Sequence, residues 1–239
     1  MESKPVLEVR GLDVRYGKAQ VLFGVSLDVR EKEIVALVGA NGTGKTTLLN
    51  TISGVVRPAA GTISFAGQRI DGLTPPVIVE LGVCHIPESR RLFVDMTVRE
   101  NLEMGAYPRR AWQRKDESIK RMFELFPILG ERAGQLARTL SGGEQQMLAM
   151  ARGLMSRPRL CLIDEPSYGL SPVLASQVFE VIKSLPSQGV GVLLVEQNVR
   201  HSLEIADRGY VLENGSICLE GACAHLLVSE HIRKAYLGL

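Results

Sequence analysis

The sequence predicts an α/β fold in which helices cover a parallel β-sheet. Three short segments are continuously apolar, as expected for strands buried on both faces: residues 34–38, 160–163 and 190–195. Segments with helical periodicity separate them along the chain. Strands that alternate with helices in this way are typical of a parallel sheet.

The composition limits the class of protein. The chain has 239 residues, of which 45% are apolar, and a formal charge of +2. This length suits one large domain or one domain with an inserted subdomain. The apolar fraction excludes intrinsic disorder, no uncharged stretch is long enough to cross a membrane, and the small net charge argues against a dedicated nucleic-acid-binding protein. Because the first residues contain no apolar signal segment, we expect a cytosolic protein.

The four cysteines include no CxxC pair. Cys84 and Cys161 lie in apolar, strand-like segments, where a small buried thiol is ordinary. Cys218 and Cys223 lie close together in the sequence, but no neighbouring pair of His or Cys completes a set of metal ligands. The sequence therefore predicts neither a zinc site nor a disulfide.

The N-terminal part of the chain alternates between apolar and polar side chains, which is the pattern of strands with one solvated face. Gly11, Gly17 and Gly24 interrupt this alternation at short intervals. We therefore predict an N-terminal antiparallel β-subdomain.

A glycine-rich loop follows the first buried strand and leads into a helical pattern. It matches GxxxxGK[ST] and runs through Gly39, Ala40, Asn41, Gly42, Thr43, Gly44, Lys45, Thr46 and Thr47. In this context backbone N–H groups converge on phosphate oxygens, and the helix start adds a favourable dipole. Lys45 is expected to neutralise the β- and γ-phosphates, and the Thr46 hydroxyl to ligate Mg²⁺. The loop predicts binding of a nucleotide such as ATP.

Residues 88–158 contain no buried-strand pattern and are predicted to be mostly helical. They divide the chain into a nucleotide-binding core, residues 1–87 and 159–239, and an inserted helical subdomain. Near the end of the core, Asn214 and Gly215 lie between two apolar segments. Both residues favour the positive φ angles of a tight turn, so they predict a β-hairpin.

A second glycine motif, Ser141-Gly142-Gly143-Glu144, precedes another helical pattern. Ser141 and Glu144 have the spacing of a capping box. That local role does not account for the two glycines, which form a second candidate anion site beside a helix N-terminus. A phosphate loop and a separate donor-rich helix start in one chain suggest that two copies enclose the nucleotide.

The buried segment 160–163 ends in two carboxylates, Asp164 and Glu165. In P-loop enzymes an Asp at this position holds Mg²⁺, often through water. The following Glu can accept a proton from the water that attacks the γ-phosphate. Considered alone, two charges at a strand end are as well explained by a solvated pair as by a catalytic one. Because they accompany a phosphate loop, the catalytic interpretation is favoured.

Together these motifs resemble the ATP-binding cassette of ABC transporters, along essentially the whole chain. The most specific is the signature Leu-Ser-Gly-Gly-Glu-Gln at residues 140–145. The resemblance implies a P-loop NTPase core that hydrolyses Mg-ATP, with Ser141–Glu144 completing the site of a facing subunit. It also implies that Tyr16 stacks on adenine and that the helical subdomain contacts a transmembrane partner.

Three positions depart from the usual pattern of these cassettes. Glu88 stands where most carry glutamine, Ser171 where aspartate is usual, and Gln197 where histidine is usual. With the ending at residues 235–238, these departures resemble the second ATP-binding subunit of branched-chain amino acid importers. Related importers of urea and short amides share much of the pattern, so both classes of cargo remain open.

Two of these departures bear on mechanism. Glu88 can ligate Mg²⁺ or hold water, although it adds negative charge near the phosphates. Gln197 can donate a hydrogen bond to a γ-phosphate oxygen, but it cannot become cationic as histidine can. Two hypotheses follow: the site is slower than one with histidine and is paired with a more active cassette, or the glutamine is fully competent.

The resemblance also implies the partners and the location. It predicts a peripheral protein on the cytoplasmic face of the inner (plasma) membrane, bound to transmembrane permeases and to a second ATP-binding subunit, identical or different. A periplasmic substrate-binding protein is an indirect partner, and no nucleic acid is expected. The loop composition of residues 88–96 suggests that Leu92 and Phe93 either contact the permease or pack inward.

Two other functions are compatible with a phosphate loop. A small-molecule kinase would use the loop, but it leaves Ser141–Glu144 unexplained. A non-transport cassette could act as an assembly switch or a nucleic-acid clamp, although such proteins usually carry paired cassettes or long inserts.

Overall fold

The computed structural model describes residues 4–237, and helices separate the three predicted buried strands along the chain. The strands are β1 (Pro5–Tyr16), β2 (Ala19–Arg30), β3 (Ile34–Val38), β4 (Ala60–Phe65), β5 (Gln68–Arg69), β6 (Val83–Ile86), β7 (Leu160–Asp164), β8 (Gly191–Val195), β9 (Arg208–Glu213) and β10 (Ser216–Ala222). The helices are α1 (Lys45–Ile52), α2 (Pro75–Leu81), α3 (Val98–Gly105), α4 (Arg109–Trp112), α5 (Lys115–Leu125), α6 (Pro127–Glu131), α7 (Gly142–Leu154), α8 (Pro172–Ser184), α9 (Val199–Ile205), α10 (Cys223–Val228) and α11 (Glu230–Ile232).

A six-stranded sheet has the order β10-β9-β3-β8-β7-β6. Its strands run parallel from β9 to β6, and β10 adds an antiparallel edge. Strands β3, β7 and β8 are buried along their whole length, which confirms the prediction from the three apolar segments. Because parallel strands end at the same edge of a sheet, the residues that follow β3, β6, β7 and β8 lie near one another.

Different elements cover the two faces of this sheet. On one face, Val35 and Leu37 pack with helix α1 and with the antiparallel sheet β2-β1-β4-β5. On the other face, Ala36 and Val38 pack with α9 and α10, and Ile163 packs with the helices of residues 98–184. The predicted α/β fold with an N-terminal antiparallel sheet is confirmed.

The predicted hairpin at Asn214 and Gly215 joins β9 to β10. Both residues have positive φ, 49° and 79°, and Glu213 pairs with Ser216 across the turn. Positive φ at both central residues gives a two-residue turn whose twist matches that of the flanking strands. The hairpin prediction is confirmed.

Helices α3 to α7 occupy most of residues 98–154. A capping box begins α3, since the Thr97 side chain accepts from the Glu100 backbone and the Glu100 carboxylate accepts from the Thr97 N–H. Across the described part of the chain, every helix is too short or too polar to span a lipid bilayer.

Candidate functional site

The phosphate loop connects β3 to α1 along a path that only small residues permit. A Cβ atom on Gly39 would lie 2.2 Å from the Leu212 carbonyl oxygen, so no side chain fits there. Gly44 precedes α1 with φ +106°, in the region that favours glycine. The loop therefore leads directly into the N-terminus of α1, where backbone N–H groups are free to bind anions.

Lys45 is the first residue of α1 and is only 5% exposed. Its ammonium group donates hydrogen bonds to the carbonyl oxygens of Gly39 (2.8 Å) and Ala40 (2.9 Å). Burial lowers the pKa of Lys45, whereas the carboxylates of Glu165 and Asp164 raise it. The cation thus lies between the loop and the acidic end of β7.

Asp164 ends β7 and is 1% exposed. Neither of its carboxylate oxygens has a hydrogen-bond partner among residues 4–237. Burial raises the pKa of Asp164, the nearby Thr46 hydroxyl opposes this rise, and the Glu88 carboxylate adds to it. Buried, unpartnered carboxylate oxygens beside a hydroxyl fit Mg²⁺, which prefers oxygen ligands.

Glu165 has an unusual backbone conformation. Its φ is 45°, a left-handed value that costs a residue with a side chain about 1–3 kcal/mol. Its N–H donates to the Val195 carbonyl oxygen (2.8 Å), which ties this turn to the end of β8. Burial raises the pKa of Glu165, and the carboxylates of Glu88 and Asp164 raise it further. A raised pKa makes the carboxylate a better proton acceptor near neutral pH.

Arginine side chains hold the loop after Glu88 against helix α7. Arg90 donates from Nε to Gln146 Oε1 (3.1 Å) and from Nη1 to Gln145 Oε1 (3.2 Å). Further along the helix, Arg152 donates to two backbone carbonyls of the loop (2.6 and 2.8 Å). A displacement of α7 would therefore move the loop that carries Glu88.

His85 lies on β6, just before this loop. Its Nδ1 is 3.1 Å from the Ser53 hydroxyl oxygen, and its Nε2 is buried with no partner in the described part of the chain. Burial lowers the pKa of His85 to about 4, and the charge of Arg91 contributes. The imidazole is therefore neutral at physiological pH.

We expect His85 to make the folded chain sensitive to acid. The unfolded chain protonates this histidine near pH 6.5 and the folded chain only near pH 4, so stability is lost as the pH falls through this interval. Between about pH 7 and about pH 4.5, the wild type should lose about 2 to 3 kcal/mol more unfolding free energy than His85→Gln, which lacks the titrating imidazole. Urea unfolding at both pH values measures this loss of unfolding free energy. His225→Gln, which alters an exposed histidine, should lose as much as the wild type. A loss in His85→Gln equal to that of the wild type would contradict the prediction.

Glu196 is a residue whose role the sequence did not reveal. It follows β8 and is 2% exposed. Its Oε1 accepts from the Ser167 N–H (2.8 Å), and its Oε2 accepts from the Gln197 N–H (3.1 Å). Glu196 therefore fixes the segment after Glu165 to the segment that carries Gln197. The sequence did offer one signal: Glu196 directly follows the apolar segment 190–195, just as Asp164 follows the apolar segment 160–163.

Gln197 is exposed and lines a cleft of about 320 Å³ together with Glu165 and Tyr168. The two residues predicted to be catalytic thus share one cleft. Asn198 begins α9 by accepting a hydrogen bond from the His201 N–H (3.0 Å). Ser171 begins α8 in the same way, with Oγ 3.4 Å from the Leu174 nitrogen, so serine caps this helix as aspartate would.

The second glycine motif begins helix α7, whereas the phosphate loop leads into helix α1. Ser141 and Glu144 form the predicted capping box. The Ser141 N–H donates to the Glu144 carboxylate (2.8 Å), and the Glu144 N–H donates to the Ser141 hydroxyl oxygen (3.4 Å). Ser141 and Gly142 are exposed. Within residues 4–237, no hydrogen bond or ion pair joins residues 141–144 to residues 39–47. The structure therefore shows no direct polar contact between these two predicted anion sites within the described part of one chain.

Tyr16 is half exposed at the end of β1. Its strand pairs with β2, and a Cβ atom on Gly44 would lie 2.6 Å from the Leu22 side chain of β2. The β1–β2 hairpin therefore packs on the phosphate loop and leaves the Tyr16 ring accessible. Its stacking on adenine stays a prediction.

Residues 22–168 match the protein-family model described as ABC transporter. The chain is 48% identical to the high-affinity branched-chain amino acid transport ATP-binding protein BraG of Pseudomonas aeruginosa, over 93% of this chain and 95% of BraG. It is 37% identical to the probable branched-chain amino acid transport ATP-binding protein LivF of Archaeoglobus fulgidus, over 95% and 97% of the two chains. Identity to BraF, another such protein of P. aeruginosa, is 34% over 99% of both.

Solved structures share this fold. The TM-score is 0.84 with an ATP-binding subunit of an ABC transporter, at 28% identity over 98% of this chain and 96% of that one. It is 0.83 with an ATP-binding cassette of an ABC transporter in its ADP conformation, at 26% identity over 99% and 100%.

Proposed function

Because the chain belongs to the ABC transporter family, we propose that it is the ATP-binding and ATP-hydrolysing subunit of an importer, with branched-chain amino acids as cargo. The observation that carries the proposal is the convergence of Lys45, Thr46, Asp164 and Glu165 at one edge of the parallel sheet. The cargo is supported by the 48% identity to BraG. Urea and short amides are the alternative cargo.

The residues at this edge have distinct roles in hydrolysis. The N–H groups of residues 39–47 and the Lys45 ammonium bind the β- and γ-phosphates. The oxygen of a water molecule bonds to the γ-phosphorus as the bond to the β–γ bridging oxygen breaks, which yields ADP and phosphate. Glu165 accepts the proton that the water loses, and Gln197 donates an amide hydrogen bond to a γ-phosphate oxygen.

Magnesium fits the oxygen donors beside the loop. Thr46 and Asp164 would hold it, with Glu88 as a ligand or as the holder of a bound water. When bound, Mg²⁺ offsets the charge of the β- and γ-phosphate oxygens. It would also supply the partner that the buried Asp164 oxygens otherwise lack.

We also assign a second cassette to each site. Ser141–Glu144 of one chain would complete the nucleotide site of a facing chain, with Tyr16 of the latter on adenine. The exposure of Ser141 supports this arrangement, as does the lack of hydrogen bonds between residues 141–144 and the phosphate loop within residues 4–237. BraG and BraF are both branched-chain amino acid transport ATP-binding proteins of one organism, which supports a pair of two different cassettes over two identical ones.

The permease contact is assigned to an apolar groove of about 450 Å³ between the end of β6 and helices α3 and α7. Phe93, Met104 and Tyr107 line it and are 45%, 48% and 63% exposed. A cytoplasmic helix of a permease would bury these side chains and thereby hold the chain at the membrane. Because Arg152 also lines the groove and binds the loop after Glu88, docking and nucleotide binding would be coupled.

On this assignment the chain consists of the core, residues 1–87 and 159–239, and the helical subdomain, residues 88–158, which carries most of the permease groove. The chain would be peripheral on the cytoplasmic face of the inner membrane. A periplasmic substrate-binding protein would act on it only through the permease, and no nucleic acid takes part.

Transport provides the direct test. The chain is reconstituted in liposomes with its permeases, its partner cassette and the substrate-binding protein. Uptake of labelled leucine and of labelled urea is then measured with ATP on the cassette side. ATP-dependent uptake of leucine supports the proposal, and uptake of urea alone supports the alternative cargo. Labelled γ-phosphate on a small acceptor, with none released, would indicate a kinase instead.

A matched pair of variants tests the groove. Phe93→Asp should abolish copurification with the permeases, because it places a charge in the apolar contact. Phe23→Asp alters a phenylalanine of similar exposure, 47%, on β2, and should copurify like the wild type. Equal copurification of both variants would remove the groove from the interface.

We expect Gln197→His to raise the rate of ATP hydrolysis several-fold in the assembled transporter. A histidine can carry positive charge beside the γ-phosphate, which glutamine cannot. Release of inorganic phosphate measures the effect, with the exposed Gln177→His as control. An unchanged or lower rate would mean that Gln197 is fully competent.

A further inference from the structure

The β9–β10 hairpin and the C-terminal segment bring three metal-ligating side chains together. Ligand atoms of Glu213, Cys218 and His231 all lie within 4.8 Å of one another. We propose that these residues bind a transition-metal ion of the Zn²⁺ type, at a site separate from the one that hydrolyses ATP. The site rests on three donors from three different elements, β9, β10 and α11.

A β-bulge places Cys218 at this site. Ile217 pairs with Leu212, but Leu219 pairs with Val211, so Cys218 is an extra residue between two regular pairs. Bulges of this kind redirect a side chain and are common beside functional sites. The Cys218 sulfur lies 3.5 Å from the Val211 carbonyl oxygen, and its side chain is exposed.

Glu213 and His231 are already oriented toward each other. The distance between His231 Nε2 and Glu213 Oε1 is 2.8 Å, and the Tyr236 hydroxyl donates to the same oxygen at 2.9 Å. His231 lies on α11, where the Ser229 hydroxyl caps the helix and the neighbouring Ile232 is completely buried. Packing of Ile232 thus fixes the position of the imidazole.

The donor set selects the ion. A thiolate, an imidazole and a carboxylate are ligands of zinc and similar ions, whereas Mg²⁺ and Ca²⁺ prefer oxygen alone. Ligand atoms around a tetrahedral zinc are about 3.3 to 3.8 Å apart, so small side-chain rotations would close the present cluster. Glu213 and His231 are 31% and 46% exposed, which leaves a path for the ion and a position for water.

A bound ion would link the C-terminal segment to the sheet beside the phosphate loop. Leu212, next to Glu213, has its carbonyl oxygen against Gly39. Tyr236, which binds Glu213, lies near the backbone amide of Ala40. The ion would therefore stabilise residues that contact the loop, without touching ATP.

Cobalt(II) provides a spectroscopic test on the full-length, untagged chain without nucleotide, because a thiolate ligand gives Co²⁺ a characteristic charge-transfer absorption. We expect equimolar Co²⁺ binding with this absorption, displacement of Co²⁺ by Zn²⁺, and a rise in Tm of several degrees with Zn²⁺. Because loss of one outer-shell partner already costs about 10–100-fold in affinity, loss of a ligand should cost at least about 100-fold. Because Cys218→Ser also removes the thiolate, it should abolish the charge-transfer band.

Two further variants distinguish the site from chance binding. His231→Gln should weaken Co²⁺ binding as strongly as Cys218→Ser, whereas His225→Gln, an exposed histidine of α10, should bind like the wild type. Binding that survives in Cys218→Ser and His231→Gln, or the absence of a charge-transfer band in the wild type, would overturn the proposal. Either result would mean that hydrogen bonds alone hold Glu213, His231 and Tyr236 together, without a metal ion.

Discussion

The Glu165→Gln variant is expected to hydrolyse ATP about 10²–10⁴-fold more slowly than the wild type while it still binds ATP, since general-base catalysis contributes a factor of this size. Glutamine has the same shape but cannot accept a proton from water. It also removes one negative charge next to Glu88 and Asp164, whose repulsion raises the pKa of Glu165. ATP should therefore bind at least as tightly as to the wild type.

Phosphate release and the association state measure this prediction together. With Mg-ATP and its partner cassette, Glu165→Gln should form a stable pair, because the nucleotide that holds the two chains together is not consumed. Glu220→Gln, an exposed glutamate of β10, is the control and should hydrolyse ATP normally. A rate within about tenfold of the wild type, which corresponds to about 1.4 kcal/mol, would remove Glu165 from the role of base.

The Lys45→Met variant is expected to bind ATP about 10 to 150-fold more weakly, since hydrogen bonds to charged groups contribute about 1.5 to 3 kcal/mol. Methionine keeps an unbranched apolar side chain that is one atom shorter than that of lysine. It removes the cation that faces Asp164 and Glu165, so these carboxylates would repel the phosphates without compensation. Both effects act against binding.

Titration calorimetry with a slowly hydrolysed ATP analogue measures the affinity of this variant. Lys120→Met, on the exposed face of α5, is the matched control and should bind like the wild type. Urea unfolding of both variants separates a loss of affinity from a loss of fold. If a folded Lys45→Met bound the analogue within about threefold of the wild type, which is less than about 1 kcal/mol, the phosphate role of Lys45 would be wrong.

Local sequence patterns were sufficient for most of the fold. The strands β3, β7 and β8 are apolar throughout because both of their faces are covered, and short apolar segments between helical patterns are typical of such strands. The turn at Asn214 and Gly215 is determined by the φ angles that these residues tolerate. The capping box at Ser141 involves residues within one helical turn. In each case the cause lies within a few residues of its effect.

The parts that escaped prediction depend on contacts between distant segments. Glu196 binds Ser167 across two strand ends, and the sequence gives no spacing rule for that contact. The left-handed backbone of Glu165 occurs where its N–H binds Val195 at the end of another strand. The sequence predicts no metal ligand at Cys218 because no second His or Cys lies nearby along the chain, but a bulge and the C-terminal helix bring Glu213 and His231 to it.

Ser141 makes no hydrogen bond to the phosphate loop within the described part of its own chain, and this has a kinetic consequence. If each working site needs two chains, hydrolysis by free cassettes becomes a second-order process, and the turnover per chain falls on dilution. Attachment to a common permease replaces that encounter with a local concentration of the order of millimolar. Cassettes that have not been assembled would then waste little ATP as long as their concentration in the cell stays well below that local value.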